Sequence, residues 1–390
     1  MSTSESVVTV SAKGAARLRA GHPWVYADDV SRDASNGADV VRVHDARGQL
    51  LGTALWAAGA QLPLRMVART AVTLDAALLE ARLRAADELR RRLLPRADAY
   101  RMVHAEADGL PGLVVDRYGD VCVLQTGARA MDAREDELAR IIEAITGARL
   151  VVARDDSSAR DFEGLPRRRA ILRGDGPTMV RYHDAGNVYE VDVMADGKTG
   201  GFLDQAENHA RAGEYARGEC LDAFTYHGGF ALALARGGAT SVLALDEAAP
   251  AVARARANAE RNQLPQVTVE QGNAFDRLRQ LEGDGRSFDV VVIDPPALAK
   301  RKSAYGAAER AYKELNLRGI RLCKDGGILV TCSCSSKMTP ERFGAVVEDA
   351  ARDAGRRVQL IERRGAGRDH PPLLGVPETE YLKCWILRVT

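Results

Sequence analysis

Apolar positions along this chain change their spacing twice. Over residues 1–75 they come in short alternating runs, Val7–Val10, Val40–Val43, Leu50–Leu55 and Leu64–Val67, divided by turn signals such as Ser35–Gly37 and Ala46-Arg47-Gly48. Period-two runs between turns predict a small β-rich domain. In it His22-Pro23-Trp24-Val25-Tyr26 is the most distinctive stretch, and Trp24 is expected in the core. From residue 76 the spacing becomes helical: Leu78, Leu79, Leu83, Leu89 and Leu93 precede Pro95, which stops the helix. Hairpin strands at Leu113–Asp116 and Val121–Gln125, a helix near 132–146, and strands at Leu150–Ala153 and Asn187–Val193 follow, with a loop-rich stretch between the last two. Together they predict a small central α+β domain over 76–185.

Residues 186–390 alternate strand and helix. Strands are predicted at Cys220–Phe224, Ser241–Leu245, Val267–Glu270, Phe288–Ile293, Gly327–Thr331 and Lys383–Val389. Helical patterns lie between them, at Gly229–Arg236, Ala248–Asn262, around Leu278 and Leu281, and at Tyr312–Leu322 and Phe343–Ala354. This cadence predicts an α/β domain, a parallel sheet with helices on both faces, ending in an antiparallel edge pair.

Composition narrows the function. Basic and acidic residues balance, 55 against 54, so any nucleic-acid contact must come from a local patch. Arg167-Arg168-Arg169 is one candidate and Arg363, Arg364 and Arg368 another. Arginine dominates; lysine occurs only eight times. Six cysteines without a Cys-x-x-Cys pair point to neither a disulfide scaffold nor a zinc ribbon, and no metal site is expected. No basic leader with an apolar run and no long apolar span is seen, so the expected setting is cytoplasmic, without a membrane partner.

The chemistry gathers at strand ends in the last region. Asp222-Ala-Phe-Thr-Tyr-His-Gly-Gly-Phe230 follows a strand and opens a helix, where glycines let a ligand approach exposed amides. Its spacing is not that of the dinucleotide fingerprint. Asp246 ends the next strand, placed to accept both hydroxyls of a ribose; Asn273 ends the third, placed for an adenine edge. Three such features on consecutive strands predict an adenosine-containing cofactor without a phosphate loop, which suggests S-adenosylmethionine.

Asp294-Pro295-Pro296 stops the apolar run Val290–Ile293, holding a carboxylate at the sheet's rim. Ile328–Ser335 ends the next strand with Cys332 and Cys334, which share a face if the strand continues that far. Cys332 reads as a buried, inert thiol and Cys334 as the one nearer the cofactor rim. An acid beside a thiol suits methylation at C5 of cytosine. A thiolate adding at C6 makes C5 nucleophilic, and the acid at N3 stabilises the adduct.

The sequence resembles the large-subunit ribosomal RNA cytosine-C5 methyltransferases of the bacterial 23S m5C1962 type. The motifs carrying the resemblance are His22–Tyr26, Asp108-Gly-Leu-Pro-Gly-Leu-Val-Val-Asp-Arg117, Lys198-Thr-Gly-Gly-Phe-Leu-Asp-Gln205, Phe224–Phe230, Asp294–Pro296 and Ser333–Ser335. It implies an N-terminal β-rich PUA domain (1–75) that contacts RNA, the central α+β domain (76–185), and a Rossmann-like class I S-adenosylmethionine-dependent methyltransferase domain (186–390). It also implies Cys334 and Asp294 as catalytic residues. Phe224, Thr225, Tyr226, Gly228, Gly229, Phe230, Asp246, Asn273, Asp294, Lys198 and Gln205 would hold the cofactor, with Lys198–Gln205 entering as a hairpin. Three positions depart from the family pattern: Asn273 where a carboxylate is usual, Ala206 where an arginine follows Asp-Gln, and His227 in place of a small or polar residue. Two other readings stay open, a methyltransferase for another RNA base or RNA class and a non-catalytic RNA-binding assembly factor. A homodimer is also open.

Overall fold

The computed structural model describes residues 6–298 and 305–390. By contact density the chain divides into two units. Unit one holds residues 1–180, 192–201 and 368–377; unit two holds 181–191, 202–367 and 378–390.

Unit one contains two sheets. The first is built from β1 (Val7–Val10), β2 (Trp24–Val25), β3 (Val30–Ala34), β4 (Val40–His44), β5 (Leu50–Trp56) and β6 (Leu64–Ala68), in the order β2-β6-β5-β4-β1-β3. The period-two runs put Val8, Val10, Val41, Val43 and Leu64 into one core. A helix that the β-rich reading did not include, α1 (Ala12–Arg19), packs on it; Ser11 caps its first turn. Trp24 lies half-buried, its indole N–H donating to Glu106 at 2.9 Å, so its polar edge has a partner outside the apolar core.

The second sheet has the order β11-β10-β9-β8-β7, from β7 (Ala99–His104), β8 (Leu113–Tyr118), β9 (Val121–Thr126), β10 (Leu150–Asp155) and β11 (Arg168–Gly174). Helices α2 (Ala76–Leu93), α3 (Arg129–Asp132) and α4 (Glu135–Thr146) flank it. Leu79, Leu83, Leu138 and Ile142 pack against Met102, Leu113, Leu124 and Val151. The helix expected near 132–146 is interrupted at Ala133-Arg134. The stretch expected to be loop-rich carries β11 and most of a hairpin, β12 (Met179–Asp184) and β13 (Asn187–Asp192). Strand β11 is an edge strand whose side chains are mostly arginines or exposed, so no apolar alternation marks it.

Unit two is built on a seven-stranded sheet: β14 (Glu219–Ala223), β15 (Ser241–Asp246), β16 (Val267–Gln271), β17 (Phe288–Ile293), β18 (Cys323–Ser333), β19 (Val358–Arg364) and β20 (Lys383–Val389). The order is β16-β15-β14-β17-β18-β20-β19, and β20 runs antiparallel to both neighbours. The last strand is therefore antiparallel but internal, with β19 outside it. The solvent-facing pattern of β19 left no signal to read. Helices α8 (Ala274–Gly283), α9 (Tyr305–Leu322) and α10 (Pro340–Ala354) share a core with Leu221, Val291, Leu329 and Trp385 on one face. α5 (Ala206–Gly213), α6 (Gly229–Arg236) and α7 (Ala249–Arg261) bury residues outside that cluster. Strand order reverses between β14 and β17, the place where a crevice opens at the carboxyl ends of parallel strands.

Candidate active site

The loop between β14 and α6 is held in a sparsely populated conformation. Phe224 and Tyr226 have φ of 71° and 50°, left-handed values rare for non-glycine residues, and Gly228 follows at 91°. Hydrogen bonds from below fix it. Asp222, fully buried, accepts the Thr225 hydroxyl at 2.6 Å and the Ala231 N–H at 2.9 Å. Burial pushes its carboxyl up to about 7. Thr225 N–H donates to the Leu245 carbonyl, and the Tyr189 hydroxyl to those of Gly228 and Gly229. A Cβ on Gly229 would stand 2.5 Å from the His209 ring, so this position admits only glycine without rearrangement. His209 is itself held by Asp184 at 2.6 Å and packs edge-on against Phe230. Thr225 and Phe230, both predicted at the cofactor, thus point into the loop's own support.

Asp246 and Asn273 end the neighbouring strands. Asp246 accepts Tyr226 N–H on one oxygen and Ala248 N–H on the other, both at 2.9 Å. It therefore ties the β14 loop to the start of α7. Asn273 caps α8, its Oδ1 accepting Phe275 N–H at 3.0 Å. Phe275 meets Phe224 edge-on, with ring centroids 6.3 Å apart. Tyr226 stacks on His227 at 3.6 Å. Burial pulls the His227 imidazole down to about 3, so it is neutral at ordinary pH. A half-buried carboxylate, an exposed carboxamide, two flanking aromatic rings and the amino end of a helix fit an adenosine ligand.

Across the switch point, Asp294 N–H donates to the Ala223 carbonyl at 3.3 Å, which sets the acid at the rim beside the loop. Gln205 Nε2 donates to Asp294 Oδ2 at 3.0 Å. Gln205 is in turn oriented: Asn208 Nδ2 donates to its Oε1 at 2.7 Å, and Arg364 Nε donates to Asn208 Oδ1 at 2.8 Å. Sequence reading missed Asn208, whose signal is its position three residues after Gln205, and had set Arg364 aside for an RNA patch. The segment Lys198–Gln205 is not a hairpin: turns lead into a short 3-10 stretch, Leu203–Gln205, and then α5. The exposed Lys198, with φ of 51°, belongs to unit one.

Strand β18 ends at Ser333, one residue before Cys334, so the two thiols part company. Cys332 is fully buried. Burial, with Cys384 as cross-strand partner, holds its thiol well above the ordinary range. Cys334 is partly exposed, its Sγ 3.9 Å from the Pro295 carbonyl. Tyr312 steadies this turn. Its hydroxyl bonds Ser333 Oγ at 3.0 Å and Ser335 Oγ at 3.1 Å, on either side of the thiol.

The arginine run at 167–169 is neutralised where it stands. Arg167 pairs with Asp161, Arg168 with Asp132 and Glu135, and Arg169 with Asp156. No helix among the described residues is long and apolar enough to cross a membrane.

Residues 8–69 match the PUA-like domain family, and residues 170–385 match the S-adenosylmethionine-dependent methyltransferase family. The chain is 36% identical over 378 residues to the ribosomal RNA large subunit methyltransferase I of Photobacterium profundum, covering 94% of this chain and 95% of that protein. The like-named protein of Tolumonas auensis is 35% identical over 377 residues, covering 94% and 95%. Among solved structures, a methyltransferase complexed with SAH superposes with a TM-score of 0.84 at 19% identity, covering 98% of this chain and 99% of the other. A SAM-dependent methyltransferase from Streptococcus mutans gives 0.81, also at 19% identity and with 98% and 99% covered. At that identity the two structures speak for the fold. With a PUA-like domain ahead of a cofactor-fitting sheet edge, the chain belongs to the S-adenosylmethionine-dependent methyltransferases, in the family of the ribosomal RNA large subunit methyltransferases I.

Proposed function

We propose that this enzyme methylates C5 of a cytosine in 23S ribosomal RNA, in the cytoplasm, with Cys334 as nucleophile and Asp294 as the group that steadies the ring. Relatives named as large-subunit ribosomal RNA methyltransferases support the substrate class. We assign RNA contact to the PUA-like domain at 1–75, a central domain to 76–185 and catalysis to 186–390. The observation that carries the mechanism is the approach of Cys334 Sγ to the Pro295 carbonyl, which brings the thiol turn against the Asp294-Pro295-Pro296 segment.

When bound by the 224–230 loop, Asp246 and Asn273, S-adenosylmethionine supplies an electrophilic methyl group. The Cys334 thiolate forms a bond to C6, and the displaced electron pair makes C5 enamine-like. Asp294, oriented by Gln205 and behind it Asn208 and Arg364, stabilises that charge through N3. C5 takes the methyl group. Transfer of the C5 proton to water then lets the sulfur–C6 bond break, the C–H electron pair re-forming the C5–C6 double bond, which returns the thiolate and releases 5-methylcytosine. A base inside a duplex must first leave its stack.

RNA carrying 5-fluorocytidine cannot lose a proton from C5, so it should trap a covalent adduct with the native enzyme and none with Cys334→Ser. Methylation mapping of ribosomal RNA from deleted and complemented cells should show a 23S cytosine mark that vanishes and returns. Normal turnover by Cys334→Ser overturns the nucleophile. A mark that vanishes from small-subunit or transfer RNA instead overturns the substrate.

A further inference from the structure

Lys383 is 3% exposed, at the start of β20 and opposite Ser333 in the antiparallel register with β18. Its Nζ donates to the Ser335 and Tyr381 carbonyls, both at 2.7 Å, and no carboxylate pairs with it among the described residues. A buried ammonium normally takes a carboxylate partner, because two neutral carbonyls do not balance its charge. Ser335 is the residue after Cys334, so the cation is fastened to the turn that carries the thiol.

We propose that Lys383 sets the thiolate fraction of Cys334, as a positioning residue acting on the nucleophile through its charge. The inference rests on the reading of Cys334 given above. Other titratable or charged groups lie on the elements packed around Lys383. Cys332 is on β18, Tyr312 on α9, and Cys384 on β20, opposite Arg364 on β19. Glu380 and Tyr381 precede β20, with Asp204 bonded to the Tyr381 hydroxyl at 2.6 Å. Burial pulls the Lys383 ammonium down to about 8, while Cys334 and then Glu380 oppose that fall. The coupling is reciprocal: whatever a thiolate at Cys334 contributes to holding the proton on Lys383, that proton contributes to holding the thiolate. A neutral side chain would satisfy the packing; only a cation does this.

The test is the pH dependence of iodoacetamide alkylation at Cys334 in the full chain, followed by mass spectrometry of its peptide; the other five cysteines are buried. The native midpoint should lie below the ordinary thiol value of about 8.5. Lys383→Met should raise it by about one unit or more, and Lys383→Arg should keep it low because the charge stays. A merely structural tie would lower thermal stability or labelling yield without moving the midpoint. An unmoved midpoint in Lys383→Met overturns the proposal. Should that variant not fold, the lysine titration is followed instead by NMR with 13Cε-labelled lysine. Its midpoint should fall in Cys334→Ala relative to the native chain; an unchanged lysine midpoint overturns the proposal. Normal turnover by Cys334→Ser would instead remove the nucleophile on which the role rests, whatever the midpoints show.

Discussion

The two units bury their cations differently. Unit one buries Arg90, Arg154 and Arg160 almost completely; unit two buries Lys383. Arg160 donates to the Thr126 carbonyl, its hydroxyl and the Pro166 carbonyl, and pairs with Asp132 and Asp155. Arg90 grips Asp108 and the Asp369 carbonyl; Arg154 donates to the Val193 and Asp196 carbonyls and pairs with Asp156. A guanidinium is always charged and offers five donors in a fixed plane, which suits it to tying loops together. A lysine titrates, so its burial makes a charge that a neighbour can feel and alter. Three acids around the candidate site also differ from a buried acid of unit one, although elsewhere in unit two acids such as Glu362 and Glu282 pair with arginines. In unit one, against its burial, Arg101 holds the Asp116 carboxyl below the usual range. In unit two Asp222, Asp246 and Asp294 take neutral N–H donors. An arginine-rich chain is therefore not by that fact an RNA-binding one; much of this charge is internal scaffolding.

The sharpest trial of that division is Cys334→Ser. Turnover should fall by roughly a thousandfold or more while S-adenosylmethionine still binds, measured by single-turnover kinetics and calorimetry. Arg160→Ala should cost about 3–5 kcal/mol in denaturant unfolding, by leaving the fully buried Asp155 without its nearest cation. Its folded fraction should keep the native alkylation midpoint of Cys334; a midpoint moved as far as Lys383→Met moves it would break the contrast between the units. Gly229→Ala should cost about 1–3 kcal/mol, because its Cβ meets the His209 ring, and should weaken cofactor binding in the same chain.

One buried ring in each unit should respond to acid in the same way. Burial holds His227 at about 3 and His104 at about 2, against an ordinary value of 6.5. Above 6.5 both rings are neutral folded or unfolded, and their contribution is complete. As pH falls below 6.5 the unfolded chain binds protons that the folded chain refuses. The contribution of each ring should then drop by about 1.4 kcal/mol per pH unit, with Asp222 opposing it because its carboxyl is raised to about 7 in the folded chain. His227→Phe should remove one ring's share of that slope, measured by urea unfolding between pH 6.5 and 5; an unchanged slope would mean that the ring takes up its proton in the folded state. The smallest effect belongs to Arg167→Ala, which should leave the urea midpoint where it is, since its partner Asp161 is also at the surface.

Much of the architecture was legible because parallel strands buried on both faces must read as apolar runs: Val290–Ile293 and Ile328–Val330 have no other use. Strands β11 and β19 were illegible for the converse reason, since edge strands that face solvent carry charges. At the candidate site, glycines, prolines and strand-end carboxylates were readable because each breaks a local rule that regular structure obeys. Asn208, Tyr312 and Lys383 break no such rule. Each is an ordinary residue in a helix or strand, and each matters only for what stands opposite it.

The sequence by itself determined most of the alternation of strands and helices in the last region, the PUA-like and methyltransferase character of the chain, and the loop, acid and thiol around which a site is read. Periodicity, backbone constraints and motif spacing are local properties, written into neighbouring residues. Only the tertiary structure decided that β18 ends between Cys332 and Cys334, that Thr225 faces Asp222, that Arg364 holds Asn208, and that Lys383 is fastened beside the thiol turn. These depend on burial and on pairings between residues far apart in the chain, and a buried charge is defined by its surroundings rather than by its place in the sequence.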